Sequence, residues 1–458
     1  MLRGPQGTLY GRNTIGGAIN VITKGPTQEF TAQREGGISN FDGYELMGAV
    51  GGPIAGEKLI FRAAGWMAKR DGYVTNLSTG TKFQGVDNKG GRLRLAFVPT
   101  DALRIDLTAE FTHEGDKGAF GGFNQGTFGN PRAVFFKGGT AVPTTNTGNL
   151  REGYLSSDPI LDRDTRAYIG KLDYDLGPAS FTSITSYREL RVADSRDLEG
   201  SSLDVLEQLS YEKSNQFTQE FRLTSAPDGG LSFGGALDWI VGAFYYKDKS
   251  FLQDDFRVGV NSAVRAALGT ATTDITTSDY KIESYAFFGQ ATLHVGEKID
   301  LTLGGRYSHD KKRATQTGDT TDALPLVAAD FSTTNGATYN SLDPRVVATY
   351  KFSRDANIYA SYSTGFKSGG FQYVPFTRAQ ANVLFKPEDI TAYEVGFKTE
   401  WLNRALRVNG AFFYYDYKNL QVSRIIDAGG APVTLITNAD ACVSPFFASI
   451  RNDAGYGE

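Results

Sequence analysis

The sequence predicts an all-β fold: a transmembrane antiparallel β-barrel, incomplete in this chain, wrapped about a small glycine-dense unit. Three observations predict it. Segments of about ten residues, the length a tilted membrane strand needs, alternate apolar and polar side chains. The links between these segments alternate short and long. The opening stretch is rich in glycine turns and has too little apolar mass for a core of its own.

The opening stretch reads Leu2-Arg3-Gly4-Pro5-Gln6-Gly7-Thr8-Leu9-Tyr10-Gly11, then Gly16-Gly17-Ala18-Ile19-Asn20-Val21-Ile22-Thr23-Lys24. Gly4-Pro5, Gly11 and the Gly16-Gly17 pair force tight turns. Ala18 to Thr23 is apolar and β-branched, which predicts a short buried strand.

Past Pro26 the alternation begins. Leu93, Leu95 and Phe97 oppose Arg92, Arg94 and Ala96. After a turn at Pro99-Thr100-Asp101, Leu103, Ile105, Leu107, Ala109 and Phe111 oppose Arg104, Asp106, Thr108 and Glu110. Period two with one wholly apolar face is a strand signature. A basic residue on that face would cost about 2–4 kcal/mol at the bilayer midplane, and none stands there. The same pattern recurs at Tyr285–Val295, Ile299–Tyr307, Tyr393–Trp401 and Leu406–Tyr414. It is weaker at Phe181–Tyr187, rich in Ser and Thr, and at Trp239–Tyr246, apolar on both faces.

Short links fall near Pro53–Lys58, Pro99–Asp101, Gly177–Ala179, Gly296–Lys298, Ser353–Ala356 and Leu402–Arg404. Long ones run about Asp71–Asp87, His113–Asp162, Arg191–Tyr211, Asp248–Asp279, Asp310–Asn340 and Lys367–Glu388. Ser39–Asp42 and Ser225–Gly235 depart from the rule. A membrane barrel sorts its loops this way, whereas a soluble sandwich has no reason to. Rings gather near the long-loop ends (Tyr245-Tyr246, Tyr307, Tyr414-Tyr415) and beside short turns (Tyr174, Phe352, Trp401), as expected of interfacial girdles. The count is about 15 strands, or about 16 if Val422–Ile436 adds one, against about 22 for plugged transporters. The barrel is therefore expected to be partial. Its first strand, near Phe30–Ile38, and its last, near Leu406–Tyr417, would each show an unpaired edge, costly inside lipid.

Composition agrees. Gly 54, Phe 31 and Tyr 23 against Met 3 favour strands and turns. Mean hydropathy is -0.30, and no run of about 18 uncharged apolar residues occurs, so no membrane helix is expected. A net charge of -4 without basic blocks argues against nucleic acid. Cys442 is the lone cysteine, so no internal disulfide forms.

The opening stretch closely resembles the C-terminal part of the plug domain of TonB-dependent outer-membrane receptors. The resemblance rests on Arg3, Gly4, Pro5, Leu9, Tyr10 and Gly11, followed by Gly16, Gly17 and Asn20. Tyr359–Phe371 (YASYSTGFKSGGF) is similar to a second segment of that family, and Phe385-Lys386-Pro387-Glu388 with Tyr393–Lys398 to a third. Asn438-Ala439-Asp440-Ala441 begins like a fourth and then departs. The resemblance implies plug in 1–26, barrel strands and extracellular loops in 27–437, and a divergent tail in 438–458. It also implies that the natural chain begins further upstream, with a signal peptide and the segment that meets TonB. The chain alone is then expected not to transport.

No catalytic, cofactor or metal constellation emerges. Gly7–Arg12 has the wrong spacing for a phosphate loop, His113-Glu114 lacks a second histidine, and His113, His294 and His309 stand far apart. The resemblance implies a receptor, not an enzyme, in the outer membrane of a Gram-negative bacterium. Its partners would be TonB, outer-membrane lipid and lipopolysaccharide, and a ferric siderophore or another large nutrient such as an oligosaccharide or cobalamin. A passive porin, an adhesin or a barrel hydrolase are the alternatives from other classes. Candidate substrate contacts are Arg12 and Asn13 beyond Gly11, and Phe120, Phe123 and Phe128, with Phe135 and Phe136, in the longest loop.

Overall fold

In a computed structural model, the described residues are 2–116, 149, 151–198, 200–227, 229–262, 265, 272–320, 329–427, 432–439 and 447–452. One antiparallel sheet of 16 strands dominates them. In chain order its strands are β1 (Thr31–Ser39), β2 (Gly43–Ala55), β3 (Leu59–Arg70), β4 (Val86–Thr100), β5 (Leu103–Asp116) and β6 (Ile160–Asp175). They continue with β7 (Ala179–Asp197), β8 (Leu206–Ser225), β9 (Leu237–Val258), β10 (Thr272–Val295) and β11 (Ile299–Thr320). The last are β12 (Phe331–Ser353), β13 (Ala356–Lys367), β14 (Glu388–Trp401), β15 (Leu406–Lys418) and β16 (Phe447–Asn452). Every strand pairs with its neighbours in sequence, so the sheet is an up-and-down meander. Among the described residues no ladder joins β1 to β16.

The sheet is inside out relative to a water-soluble core. Leu303 is 62% exposed, and Phe97, Leu107, Phe111, Phe287, Leu342, Val395 and Phe412 share its outward face. Asp106, Asp248, Arg306, Asp310 and Asp343 are buried on the other. Contiguous exposed apolar surface on this scale needs an apolar solvent. No helix among the described residues is long and apolar enough to cross a membrane.

Short turns close one rim. Gly296, in the turn from β10 to β11, takes φ +61, which only glycine adopts without strain. At the other rim the strands outrun the expected loops. The Asp248–Asp279 link is strand as far as Val258 and again from Thr272, and Asp310–Asn340 is strand to Thr320 and from Phe331. These extensions lose the apolar–polar alternation because their outward positions are polar, while many inward positions are buried polar groups such as Asp254, Ser278 and Gln316. Threonine pairs replace apolar ones, Thr277 with Thr317 (2.6 Å) and Thr315 with Thr334 (3.0 Å).

Three further expectations change. The run Ala18–Thr23 is not a buried strand. Only Gly17-Ala18 pairs, with Leu2-Arg3, while Ile19, Val21 and Ile22 are 74, 79 and 86% exposed. No strand lies beside them among the described residues, so the backbone finds no ladder and the side chains no floor. Val422–Ile436 does not join the sheet either. Leu420–Asp427 and Pro432–Ala439 make a separate hairpin, and the sixteenth strand is Phe447–Asn452. Of the paired tyrosines, Tyr245 and Tyr414 face outward while Tyr246 and Tyr415 face inward, as period two requires.

Candidate functional site in the hollow of the sheet

The opening stretch crosses the polar face of the sheet. Gly7–Tyr10 forms a single helical turn, α1, which contacts β10, β11, β12 and β13. Further along, Arg94 on β4 donates to the carbonyls of Thr23 (3.2 Å) and Lys24 (3.3 Å). One short segment reaches strands so far apart in the ladder because the sheet curls around it.

The segment is closed on itself first. Gln6 N donates to Thr14 O (3.1 Å), and the Thr14 hydroxyl donates to Gly11 O (2.6 Å). Two glycines of the motif are then required by geometry. Gly4 takes φ +70 with the Tyr415 hydroxyl 2.9 Å from where a Cβ would stand. Gly11 takes φ +84, and the Arg306 guanidinium lies 3.1 Å from its missing Cβ. A side chain at either position meets left-handed strain and crowds the tip of a neighbouring side chain.

Docking against the sheet is mostly polar. Arg12 Nη1 pairs with Asp310 Oδ2 at 2.6 Å, with side-chain exposures of 16 and 0%. The Arg12 guanidinium also lies over the Tyr246 ring, 4.7 Å from its centroid. Arg306 sits between Phe244 and Phe288 and donates from Nε to Ser308 Oγ (3.1 Å). Thr8 donates to the Asp343 carbonyl (3.3 Å), and Arg345 to Gln6 Oε1 (3.3 Å). Asn13 N donates to Phe366 O (3.0 Å), and Gly365 leaves room for Pro5 and Ile15. The first sequence motif thus docks directly on the second.

Above this, the link Ser368–Pro387 folds inward. Gln316 Nε2 (2.8 Å) and the Tyr280 hydroxyl (3.0 Å) both donate to Gln372 O, and Lys312 Nζ donates to Gly369 O (2.6 Å). The Phe376 ring packs edge-on against Phe256, 5.1 Å between centroids. Tyr373 stands in this link. Burial, then the carboxylates of Glu212 and Asp254, push its hydroxyl up to about 12. Below, a polar cavity of about 420 Å³ lies between Gly4-Pro5-Gln6 and the inner side chains of Arg345, Tyr359, Glu394 and Tyr415.

Among the sequence candidates, Arg12 is consumed by its pair with Asp310, whereas Asn13 is exposed at the apex with φ +64. Tyr10 is 48% exposed and Leu9 half-buried. Gly16 meets nothing and Asn20 is exposed. For Arg3 only the backbone is described. Phe120, Phe123, Phe128, Phe135 and Phe136 lie outside the described residues. Asp310, Arg306 and Gln316 were not singled out from the sequence, and Tyr246 was read only as a girdle ring. Their one signal was a polar residue at each inward position. The histidines do have partners. His113 Nδ1 lies 2.9 Å from Asp164, and His294 bridges Asp238 and Asp300. His113 with Asp162 and Asp164 is a group that could hold a metal ion, on the outward face.

Residues 104–444 match the family described as TonB dependent receptor-like, beta-barrel. The chain belongs to that family. The chain of this TonB-dependent receptor is 25% identical over 428 residues to a pesticin receptor of Yersinia enterocolitica, covering 92% of this chain and 56% of that protein. A ferripyoverdine receptor of Pseudomonas aeruginosa is 22% identical over 448 residues, covering 92 and 48%. The chain thus spans about half the length of the curated relatives it matches. Among solved structures, the ferric yersiniabactin uptake receptor of Yersinia pestis superposes with TM-score 0.75 at 22% identity, covering 92% of this chain and 59% of that one. The ferric-catecholate import receptor of E. coli K12, closed form, gives 0.68 at 16%, covering 99 and 69%. These likenesses bear on the fold. The exposed apolar face of this TonB-dependent receptor lies in the outer membrane of a Gram-negative bacterium.

Proposed function

We propose that the chain is the barrel portion, with the last part of the plug, of a receptor that imports a ferric siderophore using energy delivered through TonB. The observation that carries this reading is the obstructed lumen: residues 4–15 are pinned across the inner face by Arg12–Asp310 and the bonds of Thr8, Asn13 and Arg345. A passive porin would gain nothing from such a stopper. The stopper's contacts are ion pairs and hydrogen bonds rather than an apolar core, so water can replace them when it is displaced. That favours a part that moves under a pull. Residues 1–26 act as plug and 27–437 as barrel and loops, and within the tail 438–458 Phe447–Asn452 adds a strand to the barrel sheet. Asn13, at the exposed apex, and the rings of the 113–162 loop are the cargo contacts. Arg12 serves the latch. The cargo assignment follows relatives named for pesticin, ferripyoverdine and ferric yersiniabactin, in preference to oligosaccharide or cobalamin. The chain works as a transporter and not an enzyme.

The test is growth rescue. The full-length gene is placed in a strain lacking its own siderophore receptors, under iron limitation, with a panel of ferric siderophores. Rescue by at least one of them, abolished by deleting TonB, is expected. Uptake that persists without TonB would overturn the reading in favour of a passive channel.

A further inference from the structure

Above the Arg12–Asp310 pair, the inward face of β7–β9 carries more acid than base. Asp194, Ser210, Asp254 and Thr276 stand side by side in one inward row across β7 to β10. Glu212, opposite Leu252, lies in the next row down, about 7 Å deeper in the hollow. Asp248, opposite Gln216, lies deeper again, one row above Tyr246. The row of Tyr246 runs through Ser284 to Asp310. Asp254, Glu212 and Asp248 therefore step down toward the point where the plug segment is held.

Most of the bases nearby are taken. Arg196 Nη2 pairs with Asp194 (2.6 Å), Arg163 Nη1 with Glu114 (2.8 Å), and Lys312 Nζ donates to Gly369 O (2.6 Å). Arg188 shares the row of Asp248 but stands two strands away, beyond Gln216. Among the described residues no Lys, Arg or His pairs with Glu212, Asp248 or Asp254. Ser214 and Ser250 donate to the oxygens of Asp248. Asp254 is 1% exposed. Gln208 Nε2 (2.8 Å) and Ser210 both donate to its Oδ1, while its Oδ2 accepts from no described residue. Burial pushes the carboxyls of Asp254 and Glu212 up, and for Glu212 the Asp248 carboxylate adds to it. A buried carboxylate oxygen with neither donor nor counter-charge is costly. The infolded link brings Tyr373, 54% exposed, close enough to Glu212 and Asp254 for their charge to act on its hydroxyl. Glu212 is only half-buried, so it and Tyr373 form the open side of the patch and Asp254 its floor.

We propose that Glu212 and Asp254, with the Tyr373 ring beside them, form a subsite for a protonated amine carried by the imported chelate. The inference rests on the import reading and deepens it by naming a charge on the cargo. An alkylammonium fits better than a bare metal ion. Among the described residues, the ligating side chains that converge closely enough to share an ion are His113, Asp162 and Asp164 on the opposite face, and Glu212, Asp248 and Asp254 do not converge in that way. An amine on a flexible arm presents several donors to spaced carboxylates and lies well against an aromatic face. Once it is seated, Asp254 Oδ2 gains the donor and the counter-charge that it lacks. Asp248 keeps the field negative further in, which draws a cationic group toward the plug.

The test measures binding to the full-length, detergent-solubilised receptor. The probes are ferrioxamine B, a ferric trishydroxamate with a free terminal amine, its N-acetyl derivative, an anionic ferric triscatecholate, and Ca²⁺ alone. The amine-bearing chelate is expected to bind about 10-fold or more tightly than the acetylated one, an advantage that shrinks as salt rises. Glu212→Gln/Asp254→Asn should lose this advantage while binding the acetylated chelate and melting as the parent does, which separates lost charge from lost fold. Equal binding of the two hydroxamates, preference for the catecholate, or an advantage that survives in the double variant would overturn the proposal and leave the import reading standing. So would displacement of the amine-bearing chelate by Ca²⁺ at equal concentration, which would make the patch an inorganic cation site. Failure to bind any of the chelates would overturn the proposal as well, and growth rescue by other ferric siderophores then decides separately whether the import reading survives.

Discussion

Two halves of one short segment behave oppositely. Residues 4–15 are pressed onto the inner face of β10–β13, with Gly4, Pro5, Gly7, Thr8 and Gly11 buried. Residues 19–24 are the more apolar half, yet Ile19, Val21 and Ile22 are exposed, and this half is tied to the sheet by Arg94, through the carbonyls of Thr23 and Lys24, and by Lys24 Nζ donating to Gln33 on β1 (3.3 Å). The difference is not hydrophobicity. The first half presents donors and acceptors to a polar lumen that matches them, while the second presents β-branched side chains beside which no strand stands. In a hollow lined by Asp310, Arg306 and Asp343, polar complementarity decides what docks.

The contrast can be broken by substitution. Asp310→Ala leaves Arg12 buried without its partner and should weaken docking of residues 4–15 by about 3–5 kcal/mol. Hydrogen exchange at Gly11 N and Asn13 N would report it, and Arg12→Met combined with Asp310→Leu should restore most of the protection. Gly11→Ala adds left-handed strain of about 1–2 kcal/mol and pushes on Arg306, so the same amides should exchange roughly tenfold faster or more. Arg94→Ala removes two hydrogen bonds from the second half. We expect a loss of about 1 kcal/mol in local stability, seen as faster proteolysis near Lys24 and no change at Gly11. Ile22→Ser should alter thermal stability by less than about 0.5 kcal/mol. A large loss there would mean that Ile22 is packed after all and would erase the contrast between the halves.

Much of the fold was legible because a membrane strand announces itself twice, in its alternation and in its turn. Leu93–Phe111 reads as two strands from side-chain period alone, and Gly296-Glu297-Lys298 as the tight turn between two more. Legibility failed where that signal vanishes. The outer ends of β9–β12 carry polar residues on the outward face and bury polar groups such as Asp310 and Gln316 on the inward one, so Asp310–Thr320 looked like loop. The site was harder. Arg12 was visible as a candidate but its role was not, since Asp310 lies far along the chain and nothing local marks the pair. The contact between Gly365 and Pro5 joins two motifs whose separate presence in the sequence says nothing of their touching.

The class of fold, the period-two faces, the sorting of loops and the glycines at Gly4 and Gly11 are all readable from the residues. Each of these follows from local chemistry: backbone sterics, alternation and turn preference act over a few residues. Long-range pairing settles the rest: which polar groups meet in the lumen, that Tyr246 turns inward onto Arg12, and that Ile19, Val21 and Ile22 stay exposed. Such matches depend on register between strands dozens of residues apart, and a shift of one residue would send every side chain to the opposite face.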